Sequence, residues 1–132
     1  MKDKKVIVFV GMPGSGKSSC VEYVEKRGFP SVYFGGITVD EVKARGLEVN
    51  EKNEKFVRED IRAKEGVGAY AHRMITKIEK IFREGHNRVI ADGLYSWTEY
   101  QSFVKHFGKQ VIFIAILAPR NVRHKRLANR LV

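Results

Sequence analysis

The sequence has one cysteine, Cys20, which excludes an internal disulfide framework. No local base stands near it, so a buried structural thiol is expected rather than a nucleophile. Long hydrophobic runs are also missing. The longest apolar stretch, Val111 to Ala118, is far too short to cross a bilayer. Met1 to Lys5 is charged, and too few apolar residues follow before Gly11 for a signal-peptide core. A cytoplasmic protein without a membrane partner is the expectation. No internal repeat or low-complexity tract is present. The histidines (His72, His86, His106, His124) show no metal-ligand spacing, which argues against zinc. No nucleophile–base constellation emerges, so a covalent mechanism is not indicated.

Acidic residues are in short supply. Against 25 Lys and Arg stand 15 Asp and Glu, a net charge of +10. Such a balance attracts polyanions, and nucleic acid is one candidate partner. Half of the excess is concentrated after Pro119, where Arg120, Arg123, Lys125, Arg126 and Arg130 face no acidic neighbour in sequence. A basic helix of this kind can serve the phosphates of a small nucleotide. No aromatic nucleic-acid platform or finger spacing accompanies it, so nucleic acid ranks below a nucleotide.

What is present centres on Gly11-Met12-Pro13-Gly14-Ser15-Gly16-Lys17-Ser18, which reads G-x-x-x-x-G-K-S. A β-branched-rich run, Lys5 to Val10, precedes it, as a buried parallel strand requires. A segment free of glycine and proline, Lys17 to Arg27, follows and stops at Gly28. In a strand–loop–helix setting the glycines turn backbone N–H groups inward around phosphate oxygens, and the helix N-terminus adds its positive dipole end. Lys17 then reaches the β- and γ-phosphates and the Ser18 hydroxyl ligates Mg²⁺. Residues Gly11 through Ser19 form the expected nucleotide-binding set.

The rest of the chain alternates strand and helix, which predicts one α/β domain over residues 1–132 with a doubly wound parallel sheet and helices on both faces. Phe29 to Phe34 reads as a second strand closed by Gly35-Gly36. Thr38 to Glu41 reads as a capping box opening a helix near Val39. A charged helix is expected over about 50–65, with Phe56, Val57 and Ile61 as its apolar stripe. A second helix, with Ala71, Met74, Ile75, Ile78, Ile81 and Phe82 inward, should end at Gly85. Arg88 to Ala91 is the third strand. Ser96 to Glu99 opens a helix expected to turn Trp97, Tyr100, Phe103, Val104 and Phe107 inward. Gln110 to Leu117 is expected as a fourth strand deep in the sheet, and Pro119 fits the first turn of a last helix. All four strand ends should line one ligand-binding edge.

Asp92 terminates the third strand. A carboxylate there holds Mg²⁺ in phosphate-loop proteins, directly or through water; the competing reading is an Asp-Gly turn with Gly93. Arg123, Arg126 and Arg130 lie three and four apart, hence on one helical face. Arginines so placed neutralise charge on a phosphate in transfer, unless they form only a solvated basic face.

The phosphate loop, the D-G turn and the R-L-x-x-R stretch together resemble the nucleoside monophosphate kinase group, which includes adenylate kinases and dephospho-coenzyme A kinase. The similarity is nearest to the adenylate-kinase-related, dephospho-coenzyme-A-kinase-like proteins of archaea. It runs over most of the chain, through Val6–Ser18, Glu65–Ile78, Val89–Glu99 and Arg123–Arg130. The resemblance implies a five-stranded parallel sheet, of which four strands are legible here and the fifth is missing. It implies an acceptor-binding helical region over about 35–85 and a lid beginning at 119–132. It implies transfer of the ATP γ-phosphate to a small phosphate or hydroxyl acceptor with Mg²⁺. Lys17, Asp92, Arg126 and Arg130 would be the catalytic set, Ser18 and Asp92 the metal ligands, and Arg73 an acceptor contact. Where such kinases read G-D-x-x-R after strand two, this chain reads Gly35-Gly36-Ile37-Thr38-Val39. Where they read D-G-x-R after strand three, Tyr95 stands at the arginine. A nucleotide-binding module without phosphate transfer is the alternative these departures motivate.

Overall fold

A computed structural model describes residues 3–94 and 96–130. Tyr95, whose replacement of an arginine was noted above, lies outside them. The elements follow as β1 (Lys5–Val10), α1 (Lys17–Glu25), β2 (Ser31–Tyr33), α2 (Phe34–Ala44), α3 (Glu51–Glu65), α4 (Ala69–Arg83), β3 (Arg88–Asp92), α5 (Trp97–Phe107), a 3₁₀ turn at Gly108–Gln110, β4 (Val111–Ala115) and α6 (Arg120–Arg130).

The strands form one parallel sheet in the order β2-β3-β1-β4. Phe9 and Tyr33 both stand in register with Asp92, and Val10 with Ala115. All four carboxyl ends therefore meet at one edge, as the alternation of elements predicts.

Period-two alternation divides the core between the two faces. Val6, Val8, Val89 and Ala91 join the larger apolar cluster, with Met74, Ile78 and Phe82 of α4 and Phe103 and Phe107 of α5. Phe9 and Ile90 point the other way and pack with Val21 of α1. Cys20 is half-buried against that smaller cluster, in keeping with a structural thiol. The helix starts at 51 and 97 are capped as their sequences suggest: Asn50 Oδ1 accepts from the Asn53 N–H at 2.8 Å and Ser96 Oγ from the Glu99 N–H at 3.2 Å. Each such cap contributes about 1 kcal/mol.

Four expectations are corrected. First, α2 begins at Phe34 and runs through Gly35-Gly36 rather than starting near Val39. The Tyr33 ring lies over both glycines, where a Cβ would come within 2.9 Å of it, so the pair permits a close approach instead of ending a strand. Thr38 is no cap; its hydroxyl is buried and shares a 2.5 Å hydrogen bond with the Tyr70 hydroxyl. Second, Phe56 is 59% exposed, so the inward stripe of α3 narrows to Val57 and Ile61.

Third, β4 is an edge strand. Its apolar run suggested a central position, but among the described residues it pairs only with β1, and Ile112 and Ile114 remain 43% and 38% exposed. The face they share with α1 has no described element beyond that helix to cover them. Fourth, of the five residues expected inward in α5 only Phe103 and Phe107 are buried, with Glu99 beside them, while Trp97 is 69% exposed. Phe103 and Phe107 join the cluster that holds α4, and Trp97 in the first turn stays outside it.

Candidate functional site

The loop between β1 and α1 is built by the two glycines whose φ is positive, Gly14 at +82° and Gly16 at +102°. The Ser15 N–H donates to the Met12 carbonyl at 3.0 Å and the Cys20 N–H to the Gly16 carbonyl at 3.2 Å, so the turn passes directly into the helix. This is the strand–loop–helix geometry that converges backbone N–H groups on an anion. Gly11, Met12, Pro13, Gly14, Gly16, Lys17 and Ser18 line one cavity of about 170 Å³, and Arg130 of α6 lines it with them. Ser19 follows in the first turn of α1 and is exposed.

Lys17 and Asp92 meet there. Lys17 Nζ donates to Asp92 Oδ1 at 2.5 Å, across the space between the start of α1 and the end of β3. Both side chains are largely buried, so their charges act on each other and on a ligand with little water between them. The Gly93 N–H donates to the Phe9 carbonyl at 2.9 Å, which fixes the turn after Asp92 to the strand that carries the loop. Asp92 therefore ends β3 beside a turn and, through Lys17, faces the phosphate loop.

Helix α6 packs on the loop. A Cβ on Gly14 would lie 2.6 Å from the Arg123 carbonyl oxygen, so glycine is required there by contact as well as by backbone angle. Arg126 donates to the Gly14 carbonyl at 3.0 Å, and Arg123 donates from Nε to the Ala118 carbonyl at 3.2 Å. Arg126 and Arg130 of the basic helix thus reach the loop, while the Arg123 side chain is tied to the segment just before its own helix.

Arg73 is placed elsewhere. It donates to Glu41 at 3.2 Å and pairs through two nitrogens with Glu65. Those bonds, led by Glu65, push its pKa up, so it is a fixed cation. It lines a groove of about 640 Å³ between α2 and α4 that shares no residue with the phosphate-loop cavity. Sequence reading missed the ion-pair chain around it: Lys64 and Arg45 on Asp60, Arg45 and Arg73 on Glu41, Arg73 on Glu65. The i,i+4 pairs Glu41–Arg45 and Asp60–Lys64 were its legible sign.

A hard, oxygen-seeking ion fits the donors present. Among the described residues no group of three His, Cys, Asp or Glu could form an all-protein metal cage. The Ser18 hydroxyl and the Asp92 carboxylate beside a phosphate loop match Mg²⁺, which binds through one or two protein oxygens plus phosphate oxygens. No helix among the described residues is long and apolar enough to cross a membrane.

The profile of the AAA domain family matches residues 7–131. The UPF0200 protein of Methanosarcina mazei is 41% identical over 126 residues, covering 96% of this chain and 66% of that protein. That of Thermococcus onnurineus is 36% identical over 126 residues, covering 95% of this chain and 68% of its own length. The chain thus spans about two thirds of these relatives. A sugar kinase from Janibacter sp. HTCC2649 superposes with a TM-score of 0.61 at 17% identity, over 96% of this chain and 68% of that one. A gluconokinase from Sinorhizobium meliloti 1021 gives 0.54 at 15% identity, over 98% and 67%. At such identities the likeness establishes the fold alone, a P-loop kinase-like α/β sandwich. The chain belongs to the AAA domain family and to the UPF0200 proteins.

Proposed function

We propose that this chain carries the phosphate-donor half of an ATP-dependent phosphotransferase acting on a small molecule, a nucleoside monophosphate or a dephospho-coenzyme-A-like acceptor. The observation that carries the reading is the convergence of Lys17, Asp92, Arg126 and Arg130 on one glycine loop at the carboxyl edge of the sheet. An isolated anion cradle needs only the loop. A carboxylate at β3 and arginines on α6 add the parts that phosphoryl transfer requires, which are a metal ligand and cations for the developing charge.

In this reading the loop N–H groups and Lys17 hold the β- and γ-phosphates of ATP. The attacking acceptor oxygen forms its bond to γ-phosphorus as the bond to the β–γ bridging oxygen breaks, and ADP leaves. Ser18 and Asp92 would hold Mg²⁺, which would supply charge neutralisation at the phosphates. Arg130 at the loop cavity offsets charge on the phosphate in flight. Arg126, bonded to Gly14, keeps the loop in its receptive shape.

A second reading has its own observation. Gly36 and Val39 occupy the positions where related kinases carry an acceptor-directed carboxylate and arginine, and both lie within α2, Gly36 buried under Tyr33. This favours a nucleotide-binding module that does not transfer phosphate. The deciding experiment supplies the full-length protein with γ-labelled ATP, Mg²⁺ and a panel of nucleoside monophosphates and dephospho-coenzyme A. A labelled product, absent from Lys17→Ala, is expected. Saturable ATP binding with no labelled acceptor would transfer support to the second reading.

A further inference from the structure

The groove of about 640 Å³ between α2 and α4 takes no part in the site built on the phosphate loop. Cations of α4 line it from end to end: Arg73, Lys77, Lys80 and Arg83. Their spacing of three and four puts them on one side of the helix. The rise from the first to the last is about 15 Å. Along the first half the chain supplies its own carboxylates. Glu41 and Asp40 reach from α2 to Arg73 and Lys77, at 3.2 and 2.8 Å, and Glu65 closes that end on Arg73. Along the second half the pairing stops. The last residue of α2 on the groove is Ala44, which brings no charge. Lys80 and Arg83 are exposed and have no ion-pair or hydrogen-bond partner among the described residues.

The open half lies away from the reacting groups. Arg83 closes α4 just before the turn into β3. That strand begins at Arg88 and reaches Asp92 about 13 Å further on, at the other edge of the sheet. Length and lining say what fits the groove. A cation row of about 15 Å exceeds one small anion and suits a segment of chain. Among the described residues no Phe, Tyr or Trp lines it, so nothing there stacks a base. Ile37 and Ala44 add apolar lining, which a phosphate backbone would not use. The groups that the paired half already accepts are carboxylates.

We propose that this groove docks an acidic, amphipathic helix of a partner protein. Carboxylates three or four residues apart on that helix engage Lys80 and Arg83. They continue the row of ion pairs that Glu41 and Asp40 begin on Arg73 and Lys77. An apolar residue of the same helix packs on Ala44. About ten residues of helix span the row. The matched charges set the partner's direction and speed its arrival. This surface does not depend on the phosphotransferase reading and stands if that reading falls.

The probe is a capped peptide of about 18 residues made of leucine, alanine and glutamate, with its glutamates along one helical face. Titrated at low salt into the full-length protein, it should bind saturably. Amide resonances around Ala44, Lys80 and Arg83 should shift, and those of residues 11–18 should not. Lys80→Glu with Arg83→Glu should weaken binding about tenfold or more. Lys52→Glu with Lys55→Glu makes the same change of net charge on exposed positions of α3 and should leave binding unaltered. Ala44→Trp, which fills the groove and keeps its charge, should also weaken it. A peptide with lysine for glutamate should bind the Lys80→Glu, Arg83→Glu protein and not the parent. Absence of saturable binding would overturn the proposal. Equal weakening by both double reversals would reduce the effect to net charge and overturn it too. So would undiminished binding of a peptide with glutamine for glutamate. Duplex RNA of similar length binding the same resonances more tightly would give the groove to nucleic acid instead. Groove resonances that move with protein concentration alone would give it to a second copy of this chain.

Discussion

Lys17 Nζ and Asp92 Oδ1 lie 2.5 Å apart, so the cation of the phosphate loop is already engaged by the carboxylate at the end of β3. A nucleotide must compete for Lys17 with Asp92. In Asp92→Asn that competition is gone. ATP binding without divalent metal should tighten about two- to fivefold, the scale of one partly screened ion pair. Metal-dependent phosphate transfer by the same variant should fall about a hundredfold or more, since a charge-stabilising group at the reacting phosphate is lost. Equal weakening of both measurements would show that Asp92 acts only as a scaffold for Lys17.

Arg126 and Gly14 give a separate test of how α6 supports the loop. Arg126→Ala removes the hydrogen bond to the Gly14 carbonyl and should lower stability by about 1 kcal/mol. Amide hydrogen exchange should rise first over residues 11–18. Gly14→Ala should cost more, because its Cβ meets the Arg123 carbonyl oxygen and its φ of +82° disfavours a side chain. An unchanged exchange pattern in Arg126→Ala would remove that residue from the loop's support.

Acid should loosen the helical segment. Arg45 and then Arg73 bond to the Glu41 carboxylate, and Arg73 to that of Glu65, holding both below the ordinary glutamate value of 4.5. Lys64 and Arg45 do the same for Asp60. Each group has a lower pKa folded than unfolded. The stabilisation is therefore complete above the ordinary carboxylate value and is lost as pH falls through the lowered one. Arg73→Met should be less stable than the parent at neutral pH, and the two stability curves should converge as pH falls through the lowered values of these carboxylates. Denaturant midpoints measured from pH 7 to pH 3 would show it. Parallel curves would mean that Arg73 contributes only packing.

Thr38 and Tyr70 form a buried hydroxyl pair at 2.5 Å. Tyr70→Phe leaves the Thr38 hydroxyl without that partner and should cost about 1–3 kcal/mol. Thr38→Val in the same background should return part of the loss, since both polar partners are then gone. Additive costs in the double variant would deny the coupling.

The parts legible in the sequence were those decided locally. Gly11–Ser18 announced its turn and its helix, because glycine spacing and the following lysine act within a few residues. The stripe of α4 at Met74, Ile78 and Phe82 was equally plain, since its period is that of the helix. Neighbour-dependent features were not legible. The burial of β4 depends on how many strands flank it, which the run Val111–Ala115 does not encode. Gly35-Gly36 looked like a stop until the Tyr33 ring supplied the reason for two glycines in a helix. Trp97 read as core by its spacing in α5, but the core takes only Phe103 and Phe107 of that stripe and leaves Trp97 outside. Asp92 was visible as a strand-end carboxylate, whereas its contact with Lys17 crosses 75 residues and exists only in three dimensions.

The order β2-β3-β1-β4 also governs when the protein can fold. β1 is synthesised well before its two partners, Arg88–Asp92 and Val111–Ala115. Its apolar face must wait until those strands are made. Helices α2, α3 and α4 are contiguous in sequence and tied by ion pairs, so they can assemble earlier. Sheets closed by distant partners form slowly and expose sticky surface in the meantime. The glycine loop is thus translated before the strands that hold it in its working shape.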